Sequence, residues 1–471
     1  MRLLTLAFCA ALPLAGLGAV PAHAVTCTKS VPNDLNNDGK ADVVLGQPAA
    51  RIDGVSKAGA VDVRITGGSA FRLTGPGMGL GTTTAGEFGS SVAIGFLDND
   101  CYADLLMGAP RAAGGRAIFV PGAATGIDIS KGKIIESDNP AGTDRFGSAV
   151  AIGRGIAFVG APYHDPNGVK NAGRVYTFAV GSDDAVTAKG FLQQGTAPMQ
   201  DSPEAGDHFG AVLAYRGDTL ATGAPQENIV TATDAGAVHL TTFKQDEPAT
   251  PQTDIFLNQD VSGVPGKAEK GDAFGAAIDD QVRAIGVPGE DVKSAVDAGG
   301  IITQVQTMTT TSPALRWVSQ SSKGIPGKSK TGDRFGSALA SGTAFLCPGK
   351  IGIAVGIPGK TVDTKVGAGM VTVVSESSSD CGTTAGRQIT QNTSSIAGKV
   401  GKGNAFGTAF AVVPGATTAA DGLLGGAPGS NLDDKRDTGR VANVLNLPKT
   451  SLRSLGGPDT DTFYGSVTTQ R

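Results

Sequence analysis

The chain has 471 residues, a formal net charge of −4 and 40% hydrophobic residues. Its basic residues are scattered and only 5% of its residues are aromatic, which excludes a basic groove lined with base-stacking side chains for nucleic acid. Seventy glycines in a chain of this hydrophobicity indicate many tight turns around a large core rather than disorder.

The first 24 residues have the features of a secretory signal peptide. Arg2 precedes an apolar run from Leu3 to Val20, and small residues around Ala22 and Ala24 form a cleavage site. No later stretch approaches the roughly 20 apolar residues that a membrane span needs. We therefore expect cleavage after Ala24, with residues 25–471 exported as one soluble, monomeric extracellular domain.

The segment DLNNDGKAD, residues 34–42, places oxygen-bearing groups at alternate positions of a tight loop. Calcium takes six to eight oxygen ligands, and Gly39 stands where such a loop must turn sharply. The pattern predicts a Ca²⁺ site formed by the side chains of Asp34, Asn36, Asp38 and Asp42 and the backbone carbonyl of Lys40. The alternative is a polar turn without metal, because Asn, Asp and Gly also dominate ordinary turns.

A second copy of this loop lies in the segment GFLDNDCYAD. Asp98, Asp100 and Asp104 occupy the third, fifth and ninth places, but Phe96 holds the first place and Cys101 replaces the glycine. The loss of one carboxylate and of the turn residue favours a decayed copy of the site.

Two signatures repeat along the whole chain. A Phe-Gly pair, once with an inserted tyrosine, occurs seven times, beginning at Phe88, Phe146, Phe209, Phe274, Phe335, Phe406 and Phe463. A Gly-x-Pro signature follows each of the first six pairs, and a seventh copy, LGQP, precedes them all. Between the signatures the chain consists of about four short strand patterns per unit, with no sustained helical periodicity.

Seven units of four strands, each too small to bury its own faces, predict an all-β, seven-bladed β-propeller. The two ends of the chain are complementary. The C-terminal segment FYGSVTT has the pattern of a first strand, whereas the N-terminal part begins with the pattern of a second strand. We therefore expect a closing blade of one C-terminal and three N-terminal strands, which removes the exposed sheet edges.

These paired signatures resemble the FG-GAP repeat family, the seven-bladed propeller of integrin α-subunit heads and of secreted bacterial relatives. The resemblance covers nearly all of residues 25–471. It implies calcium loops in hairpins between first and second strands, where residues 34–42 lie. It also implies, less specifically, that a loop face meets protein ligands.

The propeller arrangement pairs the four cysteines that follow the signal peptide, an even number that favours disulfides in an exported protein. Cys347 and Cys381 fall in two hairpins on the same rim of one blade. Cys27 precedes the calcium loop, and Cys101 falls in the corresponding hairpin of the next blade. The predicted bonds are Cys27–Cys101 and Cys347–Cys381.

Several further motifs have a plain structural interpretation. The acidic residues before the Phe-Gly pairs are expected to bind local backbone amides rather than to form a ligand-binding ring; they include Asp144, Asp207, Asp272, Asp333 and Asp461. The tripeptide Arg216-Gly217-Asp218 is interpreted as a chance match to an integrin-recognition motif. LPKTS, residues 447–451, lacks the features of a sortase signal, and Asn392 begins a glycosylation sequon.

The sequence offers no catalytic constellation, so we expect a binding protein rather than an enzyme. The histidines after the signal peptide, His164, His208 and His239, sit at different repeat positions, and no GxSxG elbow is present. A secreted hydrolase of the esterase or glycosidase type remains the alternative, because carboxylates are numerous. Variable loops such as HDPNGVKNA and SNLDDKRDT favour recognition of an extracellular protein or polysaccharide. The single tryptophan, Trp317, disfavours a sugar-binding aromatic platform.

Overall fold

The computed structural model describes residues 31–81, 85–98, 100–140, 142–305, 315–377, 381, 386–396, 398–415, 420–430 and 439–447, and the backbone of 455–456 and 467–468. The signal-peptide prediction and Cys27 lie outside these residues. Within the described part of the chain, regular structure is β apart from three short 3-10 helices, at Pro76–Met78, Ile129–Lys131 and Pro166–Gly168.

Seven four-stranded antiparallel sheets form the blades, which confirms the predicted architecture. Blade 1 contains β1 (Val43–Gln47), β2 (Ala60–Arg64), β3 (Ala70–Thr74) and the C-terminal β30 (Val467–Thr468). Blade 2 contains β4 (Val92–Gly95), β5 (Asp104–Ala109), β6 (Arg116–Val120) and β9 (Lys133–Ile135), with the small hairpin β7 (Gly122–Ala123) and β8 (Gly126–Ile127) inserted. Blade 3 contains β10 (Ala149–Gly153), β11 (Ile156–Ala161), β12 (Arg174–Val180) and β13 (Val186–Leu192).

The remaining blades repeat this order along the chain. Blade 4 contains β14 (Val212–Arg216), β15 (Thr219–Ala224), β16 (Ala237–Phe243) and β17 (Pro251–Leu257). Blade 5 contains β18 (Ala277–Ile278), β19 (Ala284–Val287), β20 (Gly300–Thr303) and β21 (Arg316–Val318). Blade 6 contains β22 (Ala338–Thr343), β23 (Ile351–Ile357), β24 (Met370–Ser375) and β25 (Gly386–Ile389). Blade 7 contains β26 (Phe410–Val413), β27 (Gly422–Ala427), β28 (Arg440–Leu445) and β29 (Leu455–Gly456).

The ring is closed by strands from the two ends of the chain, as the complementary termini predict. Strand β30 pairs antiparallel with β1, with Leu45 opposite Thr468 and Gly46 opposite Val467. Strand β1 is buried along its whole length, so an unpaired β1 would leave a buried edge without backbone partners.

The two repeated signatures meet in space, which explains why they occur together. In blade 3, the N–H of Gly147 in the Phe-Gly pair donates to the carbonyl of Gly160 in the Gly-x-Pro signature at 3.0 Å. Gly160 also packs against the next blade, where a Cβ on it would lie 2.1 Å from the carbonyl oxygen of Gly210. Glycine is therefore required there by the close approach of two blades.

In the six Phe-Gly pairs that the structure describes, from Phe88 to Phe406, the phenylalanine is fully buried between consecutive blades. Phe88, for example, is fully buried and pairs in a parallel bridge with Gly59 of the preceding blade. The same parallel bridge joins Gly115 to Phe146 and Gly173 to Phe209. Each repeat thus locks onto the blade before it, and the core is a ring of apolar clusters between blades.

The alternating strand directions divide the connections between two faces. Loops between second and third strands, together with the connectors from one blade to the next, lie on what we call the upper face. Hairpins between first and second strands and between third and fourth strands lie on the lower face. The predicted calcium loop belongs to the lower face of blade 1, because it leads into β1.

Candidate metal centres

Buried carboxylates hold the two ends of the first predicted loop. The Asp34 carboxylate accepts the backbone N–H groups of Asp38 at 3.1 Å and Gly39 at 2.8 Å, and Gly39 has a φ of +87°. The turn predicted at this glycine is therefore formed, and Asp34 is one of the groups that shape it.

Asp42 ties the same loop to the neighbouring strand connection. Its two carboxylate oxygens accept the N–H of Leu35 at 2.9 Å and the N–H of Thr66 at 2.8 Å. Burial raises the pKa of Asp42 to about 6, and the nearby charges of Asp34 and Asp38 act in the same direction. A bound cation would offset both effects, because it favours the charged carboxylate.

The remaining predicted ligands lie nearer the surface. Asp38 accepts the N–H of Lys40 at 2.9 Å, and the Lys40 ammonium, 3.3 Å from the other carboxylate oxygen, forms an exposed ion pair with it. The amide oxygens of Asn33, Asn36 and Asn37 are shielded from solvent and have no hydrogen-bond partner. Unpartnered oxygens beside carboxylates are a donor set that fits calcium, with Asn36 at the position that the sequence predicts.

The second loop, in the lower face of blade 2, has the same frame as the first. Asp104 accepts the N–H of Leu97 at 2.7 Å and of Gly122 at 3.0 Å, as Asp42 does from the two corresponding segments of blade 1. Carboxylate oxygens of Asp98, Asp100 and Asp104 all lie within 4.8 Å of one another. The three carboxylates of the first loop do not form such a group among the described residues.

A neighbouring blade supplies a further carboxylate to this second loop. Asp184, in the hairpin after β12, is buried and faces Asp98. Burial, followed by the charges of neighbouring carboxylates, raises the pKa of Asp100 to about 6 and that of Asp104 to about 8. The Lys131 ammonium lies 3.0 Å from Asp184 and compensates part of this negative charge.

The sequence pattern predicts weaker metal binding at this second loop than at the first, because Phe96 and Cys101 replace a ligand and the turn glycine. The structure instead gathers its acidic groups more closely and adds Asp184 from blade 3. No local signal identifies Asp184, because 80 positions separate it from Asp104 in the sequence and only the packing of blades brings the two segments together.

Most acidic residues before the Phe-Gly pairs bind local amides, as expected. Asp207, Asp272 and Asp333 accept the N–H of the residue three positions earlier: Glu204, Glu269 and Lys330. Asp144 instead contacts His164, with 2.6 Å between the carboxylate and Nδ1. Asp461 lies outside the described residues.

The three histidines make separate local contacts. His239 is fully buried, with Nδ1 2.8 Å from the Asp254 carboxylate. Burial lowers the pKa of His208, which packs against Tyr163 with ring centroids 4.5 Å apart. His164 pairs with Asp144 on the upper face. None of these contacts gathers a nucleophile and a base in an accessible place.

The structure joins Cys347 to Cys381, with 5.9 Å between their Cα atoms. The bond connects the two lower-face hairpins of blade 6, where the blade register places both cysteines. Cys101 is also disulfide-bonded, and its predicted partner Cys27 lies outside the described residues.

Two surface motifs occupy ordinary turns. Arg216-Gly217-Asp218 forms the lower-face hairpin between β14 and β15, because Arg216 ends one strand and Thr219 begins the next. The Arg216 guanidinium donates to the carbonyl of Gln281 at 3.4 Å. Asn392 is exposed on the upper face, where its amide donates to Asp363 at 2.9 Å. Residues 448–451 of LPKTS lie outside the described part of the chain. Within the described residues, no helix has the length and apolar character needed to cross a bilayer.

Comparisons with known proteins agree with this architecture. Residues 130–178 match the family model described as FG-GAP repeat. At 30% identity the chain aligns with integrin alpha-PS5 of Drosophila melanogaster over 131 residues, integrin alpha-7 of Mus musculus over 121 and integrin alpha-6 of Gallus gallus over 119. These alignments cover 27%, 26% and 25% of this chain but only 13%, 10% and 11% of the relatives' lengths.

A crystal structure of a protein from Lactobacillus plantarum covers 91% of this chain and 98% of its own, at 13% identity and a TM-score of 0.42. The seven four-stranded blades, the matched repeat and the integrin alignments define the class: this is a seven-bladed β-propeller that contains an FG-GAP repeat and is integrin-α-like. Over residues 130–178 the chain matches the FG-GAP repeat, and over about a quarter of its length it is similar to integrin α chains.

Proposed function

We propose that this protein is a secreted, calcium-stabilised recognition module that binds an extracellular protein through its upper face. The carrying observation is an exposed valine, Val230, held in a strained backbone conformation at the tip of an upper-face loop. The disulfide between Cys347 and Cys381 supports an oxidising, extracellular location.

Exposed valines recur in the same upper-face loop of three successive blades. Val230 of blade 4 is 92% exposed, Val296 of blade 5 is 49% exposed and Val366 of blade 6 is 61% exposed. Apolar side chains presented together on one face favour a protein partner over a sugar, which is bound mainly by stacked aromatic and polar groups.

Val230 differs from the equivalent residues of other blades in being a β-branched residue in a backbone conformation that all of them share. A two-residue turn closes this loop in four blades through the bridges Ile52–Val55, Ile229–Ala232, Val292–Ala295 and Val362–Lys365. Its first residue has positive φ in every case: 49° for Asp53, 55° for Val230, 60° for Lys293 and 54° for Asp363. A β-branched residue is strained there, whereas Asp is tolerated, so Val230 is retained at a cost in stability.

Substitution of Val230 tests the proposal. We expect Val230→Asp to raise the melting temperature, because Asp accepts the left-handed conformation, and to reduce binding to the partner at least tenfold. Lys293→Asp, at the same turn position of blade 5, is the matched control and should leave binding within about twofold. Binding is measured by pull-down from extracellular protein fractions, with a glycan array in parallel.

Two results would contradict this function. One is retention of full binding by Val230→Asp with a partner identified from the wild-type protein. The other is turnover of an ester or glycoside panel by the purified chain, which would favour the hydrolase alternative instead.

Calcium is proposed to reinforce the lower face through Asp34, Asn36, Asp38, Asp42 and the Lys40 carbonyl. When bound, it would supply a positive charge at buried carboxylates that otherwise repel one another. Calcium should raise the melting temperature and chelator should lower it, with a smaller difference in Asp42→Asn. Equal melting temperatures of the wild type in calcium and in chelator would exclude the stabilising role.

A further inference from the structure

The upper face contains polar side chains at several blade junctions, and these side chains belong to neither predicted calcium loop. Each of these junctions combines a residue that follows the fourth strand, the residue two positions before Phe-Gly, and the residue four positions after the Gly of Gly-x-Pro. At the junction of blades 3 and 4 these are Gln194, Asp207 and Glu227. We call such a set a junction triad.

The triads are structurally equivalent from blade to blade. The carbonyl of the third member accepts the N–H of the glycine nine positions later, from Gly236 to Glu227 at 2.9 Å and from Gly369 to Lys360 at 3.0 Å. Asp207 and Asp333 both accept the N–H of the residue three positions earlier. Differences in chemistry between triads can therefore be compared position by position.

The triad of blades 5 and 6 contains its own cation. The Lys360 ammonium is buried and lies 2.6 Å from the Asp333 carboxylate, 2.7 Å from the Gln320 amide oxygen and 2.9 Å from the carbonyl of Lys328. Asp and Gln at this position thus form an oxygen-lined pocket that accepts a positive charge.

The triad of blades 3 and 4 has the same Gln and Asp, but an acidic residue, Glu227, replaces the lysine. Glu227 and Asp207 are both buried, and Glu204 adds a carboxylate at the solvent side. One carboxylate oxygen from each of these three residues lies within 4.8 Å of the other two. No basic side chain forms an ion pair with any of the three within the described part of the chain.

Two buried oxygens in this place have no hydrogen-bond partner. One is Oδ1 of Asp207, whose other oxygen accepts the Glu204 N–H. The other is Oε1 of Gln194, which is 1% exposed and whose amide nitrogen donates to Glu227 at 2.6 Å. A buried oxygen without a partner is costly, and an ion is one way to satisfy it.

We propose that Glu204, Asp207, Glu227 and the Gln194 amide oxygen form a site for a divalent cation of the calcium or magnesium type. All four donors are oxygens, which hard divalent cations prefer, and the three carboxylates are as close together as the ligands of one such ion. The Gln194 amide, whose nitrogen donates to Glu227, would turn over to present its oxygen to the ion. The bound ion takes the place that the Lys360 ammonium fills two junctions further along the ring.

The electrostatics of the cation-free triad support this assignment. Burial, followed by the charge of Asp207, raises the pKa of Glu227 to about 9, and burial raises the pKa of Asp207 to about 7. A divalent cation relieves the repulsion between these groups without requiring a bound proton.

The site would join two segments of the upper face. Gln194, Glu204 and Asp207 lie in the connector between blades 3 and 4, whereas Glu227 precedes the loop tip at Val230 by three residues. Asn228 of that loop also contacts Glu204, with 3.4 Å between amide nitrogen and carboxylate oxygen. A cation here would fix the base of the Val230 loop against the connector.

Glu227→Lys tests the proposal by copying the triad that already contains lysine. Calcium and magnesium, used separately as probes, are titrated into the full chain by isothermal calorimetry, and stoichiometry is checked by equilibrium dialysis. We expect Glu227→Lys to bind one cation fewer than the wild type. In chelator its melting temperature should equal or exceed that of the wild type, because the ammonium is built in.

Two control variants separate this site from its surroundings. Glu290→Lys alters the junction of blades 4 and 5, where Glu269, Asp272 and Glu290 do not gather within 4.8 Å among the described residues. It should keep the wild-type stoichiometry with both cations. Asp42→Asn perturbs only the first calcium loop. It should therefore still bind a cation at the Glu204, Asp207 and Glu227 site.

Glu227→Gln keeps the size of the side chain and is measured in parallel. It too should lose one cation. Equal stoichiometry for the wild type and either Glu227 variant, with both probes, would overturn the site. Because the readout is cation number, this result leaves the proposed recognition by Val230 to be judged by its own binding experiment.

Discussion

At the scale of single residues, the Gly-x-Pro glycine has a strict steric requirement, as Gly108 shows. A Cβ on Gly108 would lie 1.9 Å from the carbonyl oxygen of Gly147 in the next blade and 2.3 Å from Oγ of Ser91. Backbone atoms cannot move away without separating two blades, so the sequence signature records a contact between repeats rather than a turn.

We expect Gly108→Ala to destabilise the protein by about 3 kcal/mol or more, because the added methyl group overlaps backbone of the next blade. The matched control is Gly217→Ala, whose Cβ would meet nothing within 4 Å but whose φ of +65° is strained for alanine. It should cost only about 1 kcal/mol. Urea denaturation measures the free energy of unfolding of both variants. Equal losses of stability would show that backbone strain, rather than the steric clash, determines the cost at Gly108.

A second prediction concerns pH and the buried Asp272. Burial raises its pKa to about 7 in the folded protein, well above the value of about 3.9 in an unfolded chain. The unfolded chain therefore releases this proton first as pH rises. The contribution of Asp272 to stability is complete below about pH 4 and is lost as pH increases to 7.

Asp272→Asn removes this titration while keeping an oxygen that can accept the Glu269 N–H. In chelator, the variant should gain stability relative to the wild type between pH 4 and 8, by on the order of 2 kcal/mol. Chemical denaturation at pH 4, 6 and 8 measures the difference. A difference that is constant with pH would contradict the raised pKa.

At the scale of structural elements, the blade junctions show how one backbone frame accepts different chemistry. Lys360 completes one triad with an ammonium group, whereas the next triad contains only neutral groups. There the Gln391 amide nitrogen donates to the Ser430 hydroxyl at 3.0 Å, and the Gln391 amide oxygen accepts from the Asn404 amide nitrogen at 2.7 Å. The orientation of the glutamine amide depends on its partner. The Gln320 amide oxygen accepts from Lys360, whereas the equivalent Gln194 amide nitrogen donates to Glu227. Each junction is thus a separately adjustable contact between blades.

We expect Lys360→Met to destabilise the protein by about 3 kcal/mol or more, because it leaves the buried Asp333 carboxylate unpaired. The double variant Lys360→Met/Asp333→Asn should recover most of this loss, since no buried charge remains. Urea denaturation of the two single variants and the double variant gives the coupling between the residues. Additive losses would contradict a direct pair.

At the scale of the whole molecule, closure of the ring depends on a contact between residues more than 400 positions apart. Among the described residues, β30 pairs with the edge of β1 that β2 leaves open, and one apolar cluster, which includes Leu45 and Leu424, joins blade 1 to blade 7. Opening this seam would expose the edge of a fully buried strand of five residues, which is a template for pairing with another chain.

Removal of residues 461–471 should therefore cause aggregation and a large fall in melting temperature, because β1 loses its partner. Removal of 469–471 alone keeps the pairing of Leu45 with Thr468 and should have little effect. Size-exclusion chromatography and thermal unfolding distinguish the two truncations. A monomeric, fully stable 461–471 deletion would show that β30 is dispensable for closure.

The sequence alone determined the repeat number, the four-strand blades, the closing arrangement and the register of Cys347 and Cys381. It could do so because each repeat carries the same local signals: Phe-Gly, Gly-x-Pro and strands of fixed spacing. The loop at residues 34–42 was equally visible, since its oxygen-bearing residues alternate within nine positions.

Only the tertiary structure decided which acidic residues meet. Asp184 joins Asp98 across a blade boundary, and Glu227 joins Asp207 and Gln194 from separate segments. The strained, exposed Val230 was also invisible in the sequence, where a valine indicates a strand rather than a turn tip. Local patterns specify strands and turns, but contacts between blades depend on how those elements pack.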